Sequence, residues 1–527
     1  MTPPALLDLD HLSPALAAPR RPRVCRLLPG LLEVLVAVAV AAPIGVYLWV
    51  AAHRVGYPYE LDWMEGGSVA LAARAAGGHS LYAAPSLAYV GWTYPPLYYW
   101  VAAAVSKVTG PGFVALRLVS LTASLAAMAT LAAMVWRETR DRLAGLVAAG
   151  LFAATFLISG AWFDTGRVDS MFLALTLLTL AWGRWARSVR GGIGLGVLAF
   201  LACFTKQTAL VAVLPVLLYL TAARPRVGIS ALLALFCLAG ASTLWLDAAS
   251  QGWYGYYVFS ELSGQPWAQQ VWVTFWTSDI WSAQWPLVIM LGAGGAILAW
   301  DARRRLSWRS PAAYHLIAAA GLIISAWLSR LHTGGFLNVL MPAYAAIALL
   351  AGLVFGALAR RARGQPAGRL RWARAVAGAV LIAQVTLLAY PPGAQIPTAA
   401  ERAAGTALIA RLRELPGPVI VLRHPWYATL AGKGTSAAQE EAIHDVLRSD
   451  APRGAGVLRA SLLRGLDAEH VQAVVLDYAG DGSLLGPEFS REFQLERAPI
   501  TASRLYPLTD LRTAPVLLYL RRHSPAG

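Results

Sequence analysis

The stretch YPYELDWMEGG, Tyr57 to Gly67, places Asp62 and Glu65 three residues apart directly after a long apolar run. At a helix start, an i, i+3 spacing puts both carboxylates on one face. Further along, short polar groups interrupt other apolar stretches: Asp164, Arg167 and Asp169; Lys206 and Gln207; Arg330, His332 and Asn338. Ionisable side chains at membrane depth are costly and face a cavity or a partner. Carboxylates can take protons, and Arg and Lys can hold phosphate. Brought together, these groups would form a catalytic cleft for an anionic, partly apolar substrate. Each also has a plainer role. Arg167 and Asp169 could cap a span, Lys206 could snorkel, and Arg330 and His332 could anchor a span end at the interface. Glu60 reads as a solvated carboxylate.

The elements that must position these residues are membrane spans. The chain has 527 residues, 57% hydrophobic and only 14% charged, and its mean hydropathy is +0.53. Many apolar runs approach the roughly 20 residues that a helix needs to cross a bilayer. The formal charge of +16 is no nucleic-acid footprint, because the arginines cluster between apolar runs as positive-inside loops do. The three cysteines, Cys25, Cys203 and Cys237, imply neither a disulfide framework nor a Cys metal site. Gly192, Gly194 and Gly196 lie in an apolar helix and read as a close helix-packing face rather than a dinucleotide loop. The run from about Leu31 to Ala52 is too long for a signal peptide and reads as an uncleaved first span.

Charge parity sets the topology. With Arg20, Arg21, Arg23 and Arg26 in the cytoplasm, the first span exits outward. If the segment that starts at Tyr94-Pro95-Pro96 crossed fully, every later arginine cluster would fall outside. If it lies along the outer interface, as its Pro-Pro start and Tyr/Trp content suit, each cluster falls inside. About eleven spans then follow, near 31–52, 116–136, 143–162, 168–184, 192–205, 207–223, 228–246, 285–300, 312–329, 338–359 and 375–391. The fifth and sixth are one stretch broken at Thr205-Lys206-Gln207. All the polar groups named above then share the outer face. The loop between the spans near 228–246 and 285–300, which carries the aromatic residues from Trp253 to Trp285 and also holds Asp247, Glu261 and Asp279, is long for a connection and reads as a lid.

The expected fold is mainly α: residues 1–28 a cytoplasmic tail, 29–391 a polytopic membrane domain, and 392–527 a small extracytoplasmic α/β domain. In the last, Ala399 to Leu415 reads as a helix, and Val419 to Leu422, Val471 to Leu476 and Val516 to Tyr519 as short buried strands.

The order of motifs resembles the GT-C glycosyltransferases, in particular the protein O-mannosyltransferase and aminoarabinose lipid A transferase branch. The residues that carry this are the acids of the first outer loop, Tyr94-Pro95-Pro96-Leu97-Tyr98-Tyr99-Trp100, Gly166-Arg167-Val168-Asp169, Thr205-Lys206-Gln207 and Leu331-His332-Thr333-Gly334-Gly335-Phe336-Leu337-Asn338. The resemblance covers roughly residues 30 to 390. It implies a multi-span enzyme of the plasma (inner) membrane, a catalytic acid in the first outer loop, and a polyprenyl-phosphate sugar donor.

Transfer of the sugar to an acceptor hydroxyl needs a base and a stabilised leaving phosphate. Asp62 is the first candidate base and Glu65 the second, or a positioning group. Arg167, Lys206, and Arg330 or His332 are candidates for the donor phosphate, with Asp164, Asp169, Gln207, Asn338 and Tyr94 around the substrate. One-face attack would invert the sugar carbon. With cations in the protein no cofactor is required; if a metal takes part, Asp62 and Asp169 are the residues to share Mg²⁺ or Mn²⁺. The acceptor could be a lipid, a glycan or a protein. The competing function is a transporter or flippase of a lipid-linked or anionic substrate; the absence of an internal repeat weighs against it.

Overall fold

The computed structural model describes residues 24–301, 307–363, 368–434, 436–449, 451–501 and 504–522. Most of the arginine tail, and Arg303 to Arg305, lie outside the described residues. The first fifteen helices are α1 (Val24–Arg54), α2 (Glu65–Ala76), α3 (Leu97–Thr109), α4 (Phe113–Thr139), α5 (Arg142–Ala154), α6 (Asp169–Trp185), α7 (Val189–Cys203), α8 (Ala209–Ala223), α9 (Pro225–Ala249), the short α10 (Trp253–Gly255) and α11 (Val271–Thr274), then α12 (Ala283–Asp301), α13 (Pro311–Leu331), α14 (Met341–Arg363) and α15 (Gly368–Leu387). Each of the eleven expected spans contains one of these helices. Among the described residues, seven segments are long and apolar enough to cross a membrane, and α5, α7 and α8 are shorter apolar helices. The segment beginning at Pro95 forms α3, which is only 13 residues long.

Local chemistry sets the helix ends. Asp141 accepts from the Leu143 and Ala144 amides at the start of α5, Ser188 caps α7, and Ser310 caps α13 with Pro311 in its first turn. Such caps satisfy donors that the helix itself leaves open. The glycine face of α7 packs against α9: a Cβ on Gly192 would lie 2.5 Å from the Val227 carbonyl oxygen, and one on Gly196 would lie 2.4 Å from that of Ala231. Small residues at this spacing let two helix backbones approach.

One end of the bundle collects cations. Arg184 pairs with Glu138 at 3.0 Å, Arg374 pairs with Asp141 at 3.3 Å, and Arg224 and Arg361 donate to the Ala186 and Leu298 carbonyls. The other end collects the connections that carry the candidate site. The Leu97 amide donates to the Phe204 carbonyl at 3.2 Å, and the Ala268 amide to that of Leu331 at 2.7 Å. The segment from Trp253 to Trp285 is largely helical, with π-helical turns at Tyr256–Glu261 and Phe275–Ser282.

The C-terminal residues add α16 (Ala399–Glu414), α17 (Pro425–Leu430), α18 (Glu440–Arg448), α19 (Pro452–Ala468) and α20 (Pro487–Glu492) around strands β1 (Val419–Val421), β2 (Ala473–Leu476), β3 (Phe493–Leu495) and β4 (Leu517–Arg521). The sheet order is β1-β2-β4-β3, with β1 parallel to β2 and the other pairs antiparallel. Three strands and α16 match the sequence expectation. β3 carries only one buried residue, Phe493, and so lacks the apolar run that marks the others. The apolar core is continuous from this sheet to the first connection: Leu61, Trp63, Tyr98, Tyr257, Trp426, Val474 and Leu476 belong to one buried cluster.

Candidate active site

The turn after α1 holds Asp62. Its Oδ1 accepts from the Met64 amide at 3.2 Å, while the Glu65 amide donates to its backbone carbonyl at 2.9 Å. The C-terminal chain braces this turn. The Thr509 amide donates to the Leu61 carbonyl at 2.9 Å, as does the Thr509 hydroxyl. Trp63 Nε1 donates to Asp510 Oδ2 at 3.1 Å. Asp62 is fully buried, and its Oδ2 has no partner. Burial raises its pKa well above the usual carboxylate range; Arg167 opposes that rise and Asp510 adds to it.

Glu65 differs. Arg117 of α4 donates to both its carboxylate oxygens, Nε to Oε1 at 2.9 Å and Nη2 to Oε2 at 2.7 Å. The Leu61 and Gly166 amides complete the set at 2.8 and 2.7 Å. Burial alone would raise the Glu65 pKa, but these partners, Arg117 foremost, hold it below its ordinary value. Its acceptor sites are occupied, so it ties three segments together and is not placed to take a substrate proton.

Glu60 is not solvated. It is 1% exposed and its Oε2 is hydrogen-bonded to His424 Nδ1, while His424 Nε2 meets Asp477 Oδ2 at 3.0 Å. Burial lifts Glu60 to a pKa of about 7. Burial pulls His424 down, but the two carboxylates outweigh it and raise its pKa to about 10. The adjacent glycines allow this packing: a Cβ on Gly66 would fall 2.0 Å from Glu60 Oε1, and one on Gly67 would fall 2.5 Å from the Trp92 ring.

A cavity of about 130 Å³ opens beside this turn. Tyr94, Arg167, Lys206, Gln207, His332 and Asn338 line it; four separate connections deliver them to one place. Arg167 is 4% exposed, and its Nε and Nη1 have no partner. Its guanidinium lies 5.0 Å from the ring centroids of both Trp92 and Trp162. Stacking on aromatic faces holds a guanidinium flat without using its N–H donors. Lys206 Nζ donates to Asp169 Oδ1 at 2.8 Å and lies 5.6 Å from the Tyr94 ring. Asn338 acts on the same Asp169. Asp62 does not line the cavity; Met64 does. Asp62 Oδ1 stands 4.0 Å from Arg167 Nη1, just behind the wall.

Two expected substrate contacts are placed elsewhere, and a third is committed to backbone carbonyls. Arg330 pairs with Asp279 at 3.1 Å and donates to the Gly335 carbonyl, holding the His332 turn rather than lining the cavity. Asp164 pairs with Arg54 of α1 at 3.3 Å, both buried. Gln207 lines the cavity, but its amide nitrogen is used on the Thr93 and Val258 carbonyls, at 2.7 and 3.0 Å. Among the described residues no group of three or more His, Cys, Asp or Glu side chains is arranged to hold a metal.

Sequence reasoning missed the other wall of the cavity. Glu261, Gln265, Glu441, Asp445 and Arg448 line it, the last three from α18 of the C-terminal region. It also missed the packing of Arg167 against Trp92 and Trp162 and the Arg117 anchor. Arg117 had a signal, a cation inside an apolar span. The contacts of Asp510 and α18 had none.

A helical bundle with its polar site at one end, beside short helices and a C-terminal α/β layer, is the fold that the resemblance to the GT-C glycosyltransferases implied. A family model described as dolichyl-phosphate-mannose-protein mannosyltransferase matches residues 93–246. The chain is similar to ArnT from Cupriavidus metallidurans bound to undecaprenyl phosphate, with a TM-score of 0.56 at 14% identity over 93% of this chain and 99% of the other. The same protein in its apo state gives 0.55 at 14% identity, over 91% and 97%. An Archaeoglobus fulgidus oligosaccharyltransferase in complex with Zn and sulfate gives 0.51 at 12% identity, over 92% and 73%. No curated protein sequence matches this one significantly.

Proposed function

We propose that the protein is a membrane glycosyltransferase that moves a sugar from a polyprenyl-phosphate donor to an acceptor hydroxyl on the extracytoplasmic face. The observation that carries this is Arg167: a buried guanidinium with two nitrogens that make no hydrogen bond, packed against two indoles on a cavity that Lys206 also lines. Uncompensated donors in a buried site are expensive, and a phosphate oxygen matches the fork. The undecaprenyl phosphate bound by the similar ArnT supports the same ligand class. The arginines at the far end of the bundle favour that end as cytoplasmic.

In the proposed transfer, Asp62 accepts the acceptor's hydroxyl proton as the oxygen bonds to the anomeric carbon. The bond from that carbon to the phosphate oxygen breaks with its electron pair, and the polyprenyl phosphate leaves as an anion. Arg167 and Lys206 stabilise the charge that develops on it. Attack opposite the leaving group inverts the carbon. Asp62 must gain access past Arg167 when substrate enters; apo hydrogen-bonding geometry commonly tightens only in the complex. Glu65, saturated by Arg117, serves as a positioning group. The protein's own cations carry the phosphate charge, so no metal is required; turnover that is lost in EDTA and restored by Mg²⁺ or Mn²⁺ would instead place an ion near Asp62 and Asp169.

The test uses the full-length protein in proteoliposomes with radiolabelled undecaprenyl-phosphate-linked hexoses and pentoses. Acceptor-dependent release of free undecaprenyl phosphate is expected. Movement of the intact donor across the bilayer, with no release, would favour a transporter and overturn the proposal.

A further inference from the structure

The second polar set on the cavity is built separately from the phosphate site. Glu261 ends the π-helical turn after α10, is 1% exposed, and leaves Oε2 without a partner while lining the cavity. Arg448 of α18 braces the wall around it, donating through Nε to Gln265 Oε1 at 2.8 Å and through Nη2 to Glu441 Oε1 at 2.9 Å, and also to Asp445. Gln265 Nε2 returns to the Asp445 carbonyl at 2.8 Å. The Ser449 hydroxyl donates to the Glu261 carbonyl at 3.0 Å. The charges that act on Glu261 are Asp445 and Arg448, not Arg167 or Lys206.

We propose that Glu261, with Gln265, Asp445 and Arg448, forms the acceptor subsite, and that it takes a neutral, hydroxyl-rich carbohydrate and rejects an anionic one. The proposal rests on the phosphate-donor reading of Arg167 for the word acceptor, but not for the sugar binding itself. The one guanidinium here, Arg448, is already held by Glu441 and Asp445, so a phosphate or carboxylate on the incoming group would find no free cation. A buried carboxyl whose burial outweighs its one nearby cation takes up a proton. Burial, and next Asp445, hold the Glu261 pKa well above its ordinary value, and burial lifts Asp445 to about 7. A neutral carboxyl both donates and accepts, as sugar hydroxyls do. An ammonium group would first have to ionise Glu261 in its buried setting.

The probes are methyl glucoside, methyl glucuronide and glucosamine, each added to the full-length protein in nanodiscs and read by saturation-transfer NMR at pH 7. Methyl glucoside is expected to bind, with Glu261→Gln weakening it on the order of tenfold and methyl glucuronide giving at least tenfold weaker binding. Equal or tighter binding of the glucuronide, or tighter binding of glucosamine, would overturn the proposal without any variant. An unchanged glucoside signal in Glu261→Gln would also overturn it. Undecaprenyl phosphate binding is measured on the same samples. Its retention in Glu261→Gln shows that the variant is folded, and its absence in the wild-type protein would count against the donor reading alone. Comparing undecaprenyl phosphate with its glycosylated form separates the two sugar sources. If Glu261→Gln weakens only the glycosylated lipid, the subsite holds the donor sugar and the acceptor assignment falls.

Discussion

Arg167 Nη1 stands 4.0 Å from Asp62 Oδ1, too far for a hydrogen bond and close enough for charge attraction. The candidate base and the candidate phosphate ligand therefore act on one another before any substrate arrives. Asp62→Asn is expected to lower transfer by about 10²–10⁴-fold, the range for loss of a general base, while undecaprenyl phosphate still binds. Near-normal turnover in that variant would remove Asp62 from the mechanism. Asp510 raises the Asp62 pKa, so Asp510→Asn is expected to move the acid limb of the pH–rate profile to lower pH; Asn can still accept from Trp63.

For Arg167, substitution by Ala should abolish measurable binding of undecaprenyl phosphate, and substitution by Lys should restore only part of it, since a point charge cannot reproduce the fork. Equal affinity in Ala and wild-type protein would contradict the phosphate role. Lys206→Ala is the weaker test alone, because it strands Asp169 as a buried unpaired charge. The double variant Lys206→Met with Asp169→Asn separates lost affinity from lost stability.

Glu65 is expected to act on stability. Both Glu65→Gln and Arg117→Met break a fully buried ion pair, at about 3–5 kcal/mol. Thermal unfolding followed by tryptophan fluorescence in detergent should show a large drop in Tm for each single variant. A Glu65→Gln protein with wild-type Tm and no activity would reopen Glu65 as the base.

The Glu60–His424–Asp477 contact predicts a pH dependence of stability. His424 rises from 6.5 to about 10 on folding, so its contribution is full below pH 6.5 and is lost as pH climbs toward 10. Glu60 rises from 4.5 to about 7, so folding favours its protonated form and this stability is lost between those values. Both slopes have the same sign, because the folded state binds more protons. Wild-type Tm should fall as pH is raised through these windows, and His424→Gln should flatten the upper one. A Tm that rises from pH 7 to 9 would contradict the assignment.

Much of this was legible in one dimension. Apolar runs near 20 residues must be helical in lipid, where every backbone group needs an internal partner, and each expected span contains a helix. Arginine parity also placed Tyr94, Arg167, Lys206, His332 and Asn338 at one end, where they line one cavity. What misled was the assumption that charge at a connection means solvent. Glu60 lies within a connection yet is 1% exposed, because His424 meets it from a segment remote in sequence.

The sequence by itself determined a polytopic helical chain, its C-terminal α/β layer and the set of polar residues available to one face. Hydrophobic length and charge bias act locally, so each segment carries that information alone. Only the tertiary structure decided which carboxylate is free. Asp62 and Glu65 are three residues apart and chemically alike, but Arg117 saturates one and leaves Oδ2 of the other unpartnered. That division depends on a contact 52 residues away, and the contribution of Asp510 and α18 on contacts hundreds of residues apart, which no local pattern encodes.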